Sequence, residues 1–129
     1  MARVLVIDDE PDVRWLLRLS LERIGHEVLL ADDGLRGVAM AQRQRPDIVV
    51  VDLMMPVMDG YGVLEALAKD RRTAHLPVLV LTAKALPEDQ TRSVEAGARR
   101  FLTKPFDPED LAEELERVLR DDQAATDSA

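Results

Sequence analysis

The sequence predicts an α/β fold, an open sheet with helices on both faces, and two observations lead to it. Short β-branched runs alternate along the chain with longer segments whose apolar residues recur with a helical period. The run Ile48–Val51 is apolar at every position, which indicates a strand buried on both faces, as in a parallel sheet. Strands that alternate with helices form one such sheet, and right-handed crossovers place the helices on both of its faces.

Five strands are predicted, of which the last is the weakest. In chain order they are Val4–Ile7, Val28–Ala31, Ile48–Leu53, Val78–Thr82 and Arg100–Thr103. Helical segments separate them, and a fifth helix closes the chain. The 129 residues amount to one domain, which we place at residues 1–120. Residues 121–129 are small and polar, and we expect them to be a frayed tail or the start of a linker.

The first and last helices carry the clearest signals. The first should begin near Pro11 and stop near Gly25, and its apolar stripe is Val13, Leu16, Leu17, Leu21 and Ile24. Asp107 and Pro108 are typical of a helix start, and the stripe that follows them is Leu111, Leu115, Val118 and Leu119. The segment 87–98, in contrast, has no run of large apolar residues, which predicts weak burial and low local stability.

Composition and charge exclude several classes of protein. The chain has no cysteine, which excludes disulfide scaffolds, thiolate zinc sites and cysteine nucleophiles. Its net charge of −8 argues against a general electrostatic hold on nucleic acid or on an anionic membrane. The apolar run Met1–Ile7 ends at Asp8 and is too short for a signal peptide or a membrane span. We therefore expect a cytoplasmic protein that binds neither membrane nor nucleic acid directly.

Polar residues stand where four of the predicted strands end. Asp8 and Asp9 follow the first strand, Asp52 closes the third, Thr82 closes the fourth and Lys104 follows the fifth. Parallel strands all end at the same edge of a sheet, which is where the ligand sites of open α/β sheets lie. A lone aspartate after a strand is usually a helix cap or a turn former. Three carboxylates, a hydroxyl and a lysine at one edge indicate a site instead.

The residue types at this edge indicate a metal site and phosphoryl chemistry. Three carboxylates within a few ångströms repel one another, and a hard divalent cation relieves the repulsion. Oxygen ligands favour Mg²⁺, with Mn²⁺ as a substitute, whereas we expect His26 and His75 to be surface residues rather than ligands. Beside such a cation, a carboxylate can attack a phosphoryl group to give an aspartyl phosphate. Lys104 would neutralise phosphoryl oxygens, and the Thr82 hydroxyl would donate to one of them.

Four segments of the chain, taken in order, resemble the receiver domains of two-component response regulators, including the chemotaxis-type single-domain receivers. These segments are Val6–Glu10, Asp52–Gly60, Leu81–Ala83 and Phe101–Phe106. The resemblance spans the chain up to about Arg120. It implies a flavodoxin-like sheet of five parallel strands in the order 2-1-3-4-5.

The resemblance implies a role for each acidic residue of the site. Asp52 would be the phosphoacceptor of a phosphorylation-dependent signalling switch. Asp9 would bind Mg²⁺ directly and Asp8 mostly through water. The backbone carbonyl of Met54 would complete the set of protein ligands.

Thr82 and Phe101 would form the switch pair of such a domain. The aromatic ring would turn inward as the Thr82 hydroxyl moves to the phosphoryl group, and the partner-binding surface around them would change. Phenylalanine stands here where tyrosine is frequent in the family, so no ring hydroxyl takes part. A plain core aromatic is the alternative interpretation of Phe101.

The resemblance also implies partners. A sensor histidine kinase or a histidine phosphotransfer protein would supply the phosphoryl group, and a downstream protein or a tethered output domain would read the phosphorylated state. The domain would be a monomer or a phosphorylation-dependent dimer. We do not expect an enzyme, beyond Mg²⁺-dependent self-phosphorylation from small donors and self-dephosphorylation. Whether this is a complete single-domain regulator or the N-terminal receiver of a longer transcription factor or enzyme stays open.

Three other functions are disfavoured. A haloacid-dehalogenase-type phosphatase also uses Mg²⁺ and an aspartate nucleophile, but it needs two aspartates spaced by one residue, whereas Asp8 and Asp9 are adjacent. A flavodoxin-like electron carrier needs a hydroxyl- and glycine-rich loop after the first strand, where Asp8–Pro11 would repel the flavin phosphate. A receiver that serves only as a scaffold is disfavoured because every required side chain is present.

Two finer hypotheses concern the loops of the site. The resemblance to the family motif implies that the Lys104–Pro105 bond is cis, and a tight turn must aim Lys104 back at the pocket. Only about 5–6% of X–Pro bonds are cis in folded proteins. Met54 and Lys84 border the expected path of the hydrolytic water, and neither side chain would align that water for attack. Slow self-hydrolysis and a comparatively long-lived phosphorylated state are therefore predicted.

A third hypothesis concerns Trp15. The 100° step per residue of an α-helix places Trp15 nearly opposite the buried face of the first helix. An exposed tryptophan near the site edge indicates a docking residue for a kinase or phosphotransfer partner. A ring that lies flat on the stems of Arg14 or Arg18 is the alternative.

Overall fold

The computed structural model describes residues 1–83 and 86–128, with side chains described through residue 124. Five strands alternate with five helices along the chain. Their bounds are β1 Arg3–Ile7, α1 Pro11–Arg23, β2 Glu27–Ala31, α2 Gly34–Gln44, β3 Ile48–Asp52, α3 Gly60–Lys69, β4 Val78–Thr82, α4 Pro87–Glu95, β5 Arg100–Thr103 and α5 Pro108–Ser128.

The five strands form one parallel sheet in the order β2-β1-β3-β4-β5, which confirms the predicted fold class. The register brings the strand ends to a common edge. Ile7 lies beside Val51, Asp52 beside Leu81, and Thr82 beside Thr103. The carboxyl ends of β1, β3, β4 and β5 therefore meet, as the site prediction requires.

The sheet separates two apolar cores, because successive side chains of a strand point to opposite faces. One face packs against α2 and α3, and its strand residues include Leu5, Ile7, Val49, Val51, Val78 and Val80. The other face packs against α1 and α5, and its strand residues include Val4, Val6, Val50, Leu79 and Leu81. Helices thus cover both faces, and the central strands β3 and β4 are buried at every position.

The buried stripe of α1 is narrower than the sequence predicts. Leu17 and Leu21 are buried and Val13 is half-buried, but Leu16 is 42% and Ile24 50% exposed. Leu16 lies to one side of the line that joins Leu17 and Leu21, and Ile24 is the residue that caps the end of the helix. The prediction that these two residues share the buried face was wrong.

The two C-terminal helices differ in how they are held. In α5, Leu111, Leu115 and Val118 are buried as predicted and Leu119 is half-buried. Asp107 caps this helix, since its carboxylate accepts a hydrogen bond of 2.9 Å from the Glu109 backbone N–H. In α4, Ser93 is the one buried residue, which confirms the weak burial predicted for this segment. None of the helices, over the residues described, is both long and apolar enough to cross a bilayer.

The last helix also continues past residue 120, up to Ser128. Its final turns contain good helix formers such as glutamine and alanine and no glycine or proline, so the helical hydrogen bonds carry on beyond the last core leucine. Arg99 binds this part of the helix through a hydrogen bond of 3.0 Å to Asp122. The division into a domain at 1–120 and a tail at 121–129 stays a prediction.

Candidate functional site

Four of the predicted site residues are placed by the end of a strand. Asp8 directly follows β1, Asp52 and Thr82 are the last residues of β3 and β4, and Lys104 directly follows β5. Asp8, Asp52 and Thr82 are all buried. Polar side chains are rarely buried without a partner, so their burial at one edge marks a built site.

Lys104 lies at the centre of this edge. Its Nζ donates to Asp52 Oδ2 at 2.8 Å, to Asp8 Oδ2 at 2.9 Å and to Glu10 Oε1 at 3.0 Å. The Lys104 backbone N–H donates to the Thr82 carbonyl at 2.8 Å, which ties the loop to the end of β4. The Lys104–Pro105 bond is cis, as predicted.

Asp52 uses both carboxylate oxygens within the site. Oδ2 accepts from Lys104, and Oδ1 accepts a hydrogen bond of 2.9 Å from the Met54 backbone N–H. The start of α3 packs against its backbone, because a Cβ at Gly60 would lie 2.8 Å from the Asp52 carbonyl oxygen and 2.7 Å from Leu53 Cα. A side chain at position 60 would therefore push the loop that follows Asp52 out of place.

The acidic loop after β1 is fixed by its own backbone. Asp8 Oδ1 accepts a hydrogen bond of 2.9 Å from the Glu10 N–H, and the Asp8 N–H donates to the Ala31 carbonyl at 3.1 Å. Glu10 is a site residue that the sequence reasoning missed, although its place directly after two aspartates was a signal. Its side chain is more than half exposed, unlike those of Asp8 and Asp52.

Four carboxylates meet at this edge. Asp8, Asp9, Glu10 and Asp52 each offer one oxygen, and these oxygens all lie within 4.8 Å of one another. Together they carry more negative charge than the single ammonium group of Lys104 neutralises. Carboxylate oxygens are the ligands that Mg²⁺ prefers, so the residues present fit a magnesium ion.

The pKa values of the two central groups reflect this crowding. Burial raises the pKa of Asp8, and the repulsion from Asp52 adds to that effect, while hydrogen bonds from the Glu10 backbone and Lys104 oppose it. Burial works to lower the pKa of Lys104, but its hydrogen bonds to Asp52, Asp8 and Glu10 raise it above the ordinary value of a lysine. Lys104 is therefore a permanent cation in a site that lacks positive charge.

The two predicted switch residues, Thr82 and Phe101, lie on the adjacent strands β4 and β5. Thr82 is fully buried at the end of β4. Phe101 lies in β5 beside Val80, is half-buried and packs against the core between the sheet, α2 and α3. Its ring therefore lies partly in the core and partly at the surface.

The two histidines behave differently from each other. His75 is exposed, as predicted, but His26 is only 7% exposed, and the prediction that it lies on the surface was wrong. The Ala2 N–H donates to His26 Nδ1 at 3.1 Å, and His26 Nε2 lies 2.7 Å from Glu116 Oε1 in α5. These two partners, one directly before β1 and one in α5, explain its burial. Neither histidine belongs to the acidic cluster.

Two of the three residues in the finer hypotheses, Trp15 and Met54, are exposed. Trp15 is 60% exposed on α1, and the Met54 side chain is 56% exposed beside Asp52. Lys84 lies outside the residues that the structure describes. The exposure of Trp15 is confirmed, whereas its part in docking and the roles of Met54 and Lys84 in hydrolysis stay predictions.

Comparisons with known proteins agree on a family. The family model described as the response regulator receiver domain matches residues 4–116. Among curated relatives, the chain is 40% identical to the protein PilH of Pseudomonas aeruginosa over 92% of this chain and 98% of PilH. It is 42% identical to the DNA-binding dual master transcriptional regulator RpaA of Synechocystis over 93% of this chain and 50% of RpaA. The chain thus spans nearly all of PilH but about half of RpaA.

Solved structures give the same result. The chemotaxis response regulator CheY4 of Vibrio cholerae has a TM-score of 0.88 and 37% identity, and the alignment covers 92% of this chain and 98% of CheY4. The receiver domain of the sensor histidine kinase PA1611 of Pseudomonas aeruginosa, with magnesium coordinated in its active-site cleft, has a TM-score of 0.84 and 31% identity over 92% of this chain and 97% of that domain. Sequence, sheet order and the acidic edge all agree, and the chain belongs to the response regulator receiver family of two-component signalling.

Proposed function

We propose that this domain is a switch that accepts a phosphoryl group on Asp52 from a sensor histidine kinase or a histidine phosphotransfer protein. One observation carries the proposal: Asp52 is a buried carboxylate held 2.8 Å from Lys104 Nζ, at an edge where three more carboxylates converge. A carboxylate of this kind is a nucleophile if a cation neutralises the incoming phosphoryl group. The family membership supports the same role.

Asp8, Asp9, Asp52 and the backbone carbonyl of Met54 would hold the Mg²⁺ ion, with Mn²⁺ as a substitute. Bound there, the ion would neutralise phosphoryl oxygens and relieve the repulsion among the carboxylates. An Asp52 oxygen forms the new bond to phosphorus as the P–N bond of the donor phosphohistidine breaks, and the leaving imidazole takes up a proton. Lys104 remains beside Asp52 and neutralises a phosphoryl oxygen.

Thr82 and Phe101 would carry the change to the surface. The Thr82 hydroxyl donates to a phosphoryl oxygen in the phosphorylated state, and its movement leaves room that the Phe101 ring fills. The half-buried position of Phe101 supports this motion, because the ring can become more or less buried without unfolding β5. The surface that changes is then available to a partner protein or to a tethered output domain.

Phosphorylation from a small donor tests the site directly. Incubation with phosphoramidate or acetyl phosphate and Mg²⁺ should add one phosphoryl group, measured by intact-protein mass spectrometry. Asp52→Asn or chelation of the metal should abolish the addition. Asp32→Asn is the matched control, because Asp32 follows β2 at the same edge but does not belong to the acidic cluster. Labelling of the Asp52→Asn protein at the wild-type yield would refute the assignment.

We also propose that Trp15 contacts the phosphodonor protein. Its ring is exposed on α1, with the exposed Leu19 one helical turn further. Arg14 and Arg18, whose stems are the alternative partners of the ring, direct their guanidinium groups to Asp8 and Glu22. Trp15→Ala should slow phosphotransfer from the cognate donor and leave phosphoramidate labelling unchanged. Equal phosphotransfer rates for both proteins would contradict the docking role.

The phosphorylated state is proposed to be long-lived. The exposed Met54 side chain shields the phosphoryl group and can neither accept a hydrogen bond from water nor donate one usefully. Met54→Asn and Lys84→Glu should shorten the lifetime, measured by loss of the phosphoryl group after removal of the donor. A wild type that loses its phosphoryl group within seconds would contradict the proposal.

The output of the switch has two candidates. The near-complete coverage of PilH favours a single-domain regulator, whereas the half-length match to RpaA favours the receiver of a longer transcriptional regulator. The length of the full open reading frame distinguishes them. Size-exclusion chromatography with light scattering, before and after phosphorylation, distinguishes a monomer from a phosphorylation-dependent dimer.

A further inference from the structure

Arg14 contacts the acidic loop of the site from the first helix. It lies one turn into α1 and is half-buried. Its Nη1 donates to the Asp8 backbone carbonyl at 2.7 Å, and its backbone N–H donates to the Glu10 carbonyl at 3.1 Å. The Arg14 guanidinium therefore holds the start of the short segment that carries Asp8, Asp9 and Glu10, and the first backbone hydrogen bond of α1 holds its end.

The Arg14 hydrogen bond completes the fixation of Asp8. The backbone N–H of Asp8 binds Ala31 in β2, Oδ1 binds the Glu10 N–H, and Oδ2 binds Lys104. The carbonyl oxygen is the remaining polar atom of Asp8, and Arg14 binds it. The orientation of the Asp8 carboxylate thus depends on contacts from three other parts of the chain: Ala31 in β2, Lys104 after β5 and Arg14 in α1.

Arg14 binds a backbone oxygen of Asp8, and it therefore leaves the carboxylate oxygens of the metal site available. Lys104 binds carboxylate oxygens directly and so competes with a cation for them. Arg14 binds the backbone instead and leaves the carboxylates free, while its permanent charge reduces the repulsion among three consecutive acidic residues. The guanidinium group thereby orders the loop without occupying the positions that a metal needs.

We infer that Arg14 is a positioning residue for Mg²⁺: it holds the Asp8–Asp9–Glu10 loop in the conformation that binds the ion. This inference rests on the proposed function and adds to it a residue that does not touch the ion. Groups that orient metal ligands from behind typically change metal affinity by about 10- to 100-fold when they are removed.

The direction of the change in Mg²⁺ affinity on removal of Arg14 distinguishes a positioning role from a purely electrostatic one. Removal of a positive charge close to a divalent cation should tighten Mg²⁺ binding if charge alone matters. If Arg14 positions the loop, its removal should weaken binding despite the loss of a like charge. The two explanations predict opposite changes in the dissociation constant.

Isothermal titration of Mg²⁺ into the 129-residue protein measures this constant without reference to phosphorylation. Arg14→Leu should raise the Kd about 10-fold. Arg14→Lys should raise it by about threefold, because lysine keeps the charge but not the planar donor geometry. Arg18→Leu is the matched control, since Arg18 lies one turn further on α1 and pairs with Glu22, and its Kd should equal that of the wild type.

Two further measurements complete the test. Thermal melts with EDTA should show that Arg14→Leu and Arg14→Lys are folded at the titration temperature. At saturating Mg²⁺, labelling of Arg14→Leu by phosphoramidate should proceed at the wild-type rate, because only the Mg²⁺ concentration for half-maximal rate has changed. Arg14→Lys keeps the test decisive if Arg14→Leu does not fold.

A Kd for Arg14→Lys and Arg14→Leu that equals or falls below the wild-type value would overturn the inference. If Asp52 is still labelled in a Mg²⁺-dependent manner, the proposed function survives and only the role of Arg14 is lost. A wild type that does not bind Mg²⁺ at all would overturn both.

Discussion

Along the body of the sheet, β3 and β4 bury side chains such as Val50 and Leu79 that need nothing but packing, whereas at its carboxyl edge the same strands bury Asp52 and Thr82. The two regions are a few residues apart and equally shielded from water. Burial stabilises the fold in the first region because the side chains are apolar. In the second region burial opposes folding unless each charge has a partner, and the buried carboxylates of Asp8 and Asp52 share Lys104 with the exposed Glu10.

The body of the sheet is therefore built for stability, whereas its carboxyl edge gives up stability for function. The body tolerates no loss of volume, whereas the edge has an excess of negative charge that a cation can correct. Removal of an apolar group from the body should therefore destabilise the fold. Removal of Lys104, the cation of the edge, should destabilise it as well. Removal of a carboxylate from the edge should stabilise it.

The largest effect is expected in the body. Leu79→Ala removes a fully buried side chain between the sheet and the α1–α5 face, and should lower the free energy of unfolding by about 3 kcal/mol. Leu35→Ala is the matched control, because Leu35 is 58% exposed, and its effect should stay within about 0.5 kcal/mol. Urea denaturation followed by circular dichroism measures both. Similar losses at the two positions would show that the body is not the source of stability.

The next effect is expected at the edge. Lys104→Met leaves Asp8 and Asp52 buried without their cation and should cost about 2 kcal/mol in EDTA, less than a fully buried pair because Glu10 is exposed. Added Mg²⁺ should recover part of that loss, since a bound ion stabilises the folded state by mass action. Urea melts with and without Mg²⁺ measure the recovery. A Lys104→Met protein as stable as the wild type in EDTA would mean that the carboxylates do not depend on Lys104.

A substitution of Asp8 is expected to stabilise the protein, unlike the two substitutions above. Burial holds the pKa of this carboxyl above its ordinary value, so the folded state binds a proton more readily than the unfolded state does. The stabilising contribution of protonated Asp8 is then fully present below the ordinary aspartate pKa, about 3.9. This contribution is lost as the pH rises through the raised pKa of the folded state. Asp8→Asn removes the charge and should stabilise the metal-free protein by about 1 kcal/mol at neutral pH.

The gain from Asp8→Asn should also vanish as the pH falls. Below the ordinary aspartate pKa both proteins are neutral at position 8, so their melting temperatures should converge. Melting temperatures measured from neutral pH down to pH 3 or so in EDTA follow this change. An Asp8→Asn protein that is less stable than the wild type at neutral pH would contradict the account of the edge.

The smallest effect on the stability of the whole fold is expected in α4, in which Ser93 is the one buried residue. Tyr61 of α3 donates a hydrogen bond of 2.7 Å to Asp89 Oδ1, and the Arg92 guanidinium lies 3.8 Å from the centre of the Tyr61 ring. Tyr61→Phe keeps the ring and removes the hydrogen bond, which is worth about 1 kcal/mol, so amide exchange in α4 should become about fivefold faster. Exchange in α5 is the internal control and should not change. Equal exchange in both proteins would mean that Tyr61 does not hold α4.

Much of this fold could be predicted because its signals are local. The strand bounds of β4 and β5 agree with the prediction at every residue, and those of β1, β2 and β3 differ by one residue at one end. The meeting of Asp8, Asp52, Thr82 and Lys104 at one edge could be predicted because each closes or directly follows a recognisable strand. The strand order came from the family resemblance, since no local pattern of the chain states which strands are neighbours.

The missed contacts share a physical reason. His26 and Glu116 are 90 positions apart, and a histidine in a connecting segment carries no local sign of its partner. The same holds for Tyr61 and Asp89, which only the packing of α3 beside α4 brings together. The width of the buried stripe on α1 was overestimated because helical period gives the direction of a face, whereas the shape of the neighbouring sheet decides how much of it is covered.

The proposed switch depends above all on Asp52 as the acceptor of the phosphoryl group. The most direct test labels the wild-type protein with phosphoramidate and Mg²⁺, reduces the acyl phosphate with borohydride to convert the modified aspartate to homoserine, and maps the peptides by tandem mass spectrometry. Homoserine is expected at position 52 alone, and none is expected in a sample labelled in EDTA. Homoserine at position 8, 9 or 59 instead, or an unmodified residue 52 in a protein that has gained a phosphoryl group, would contradict it.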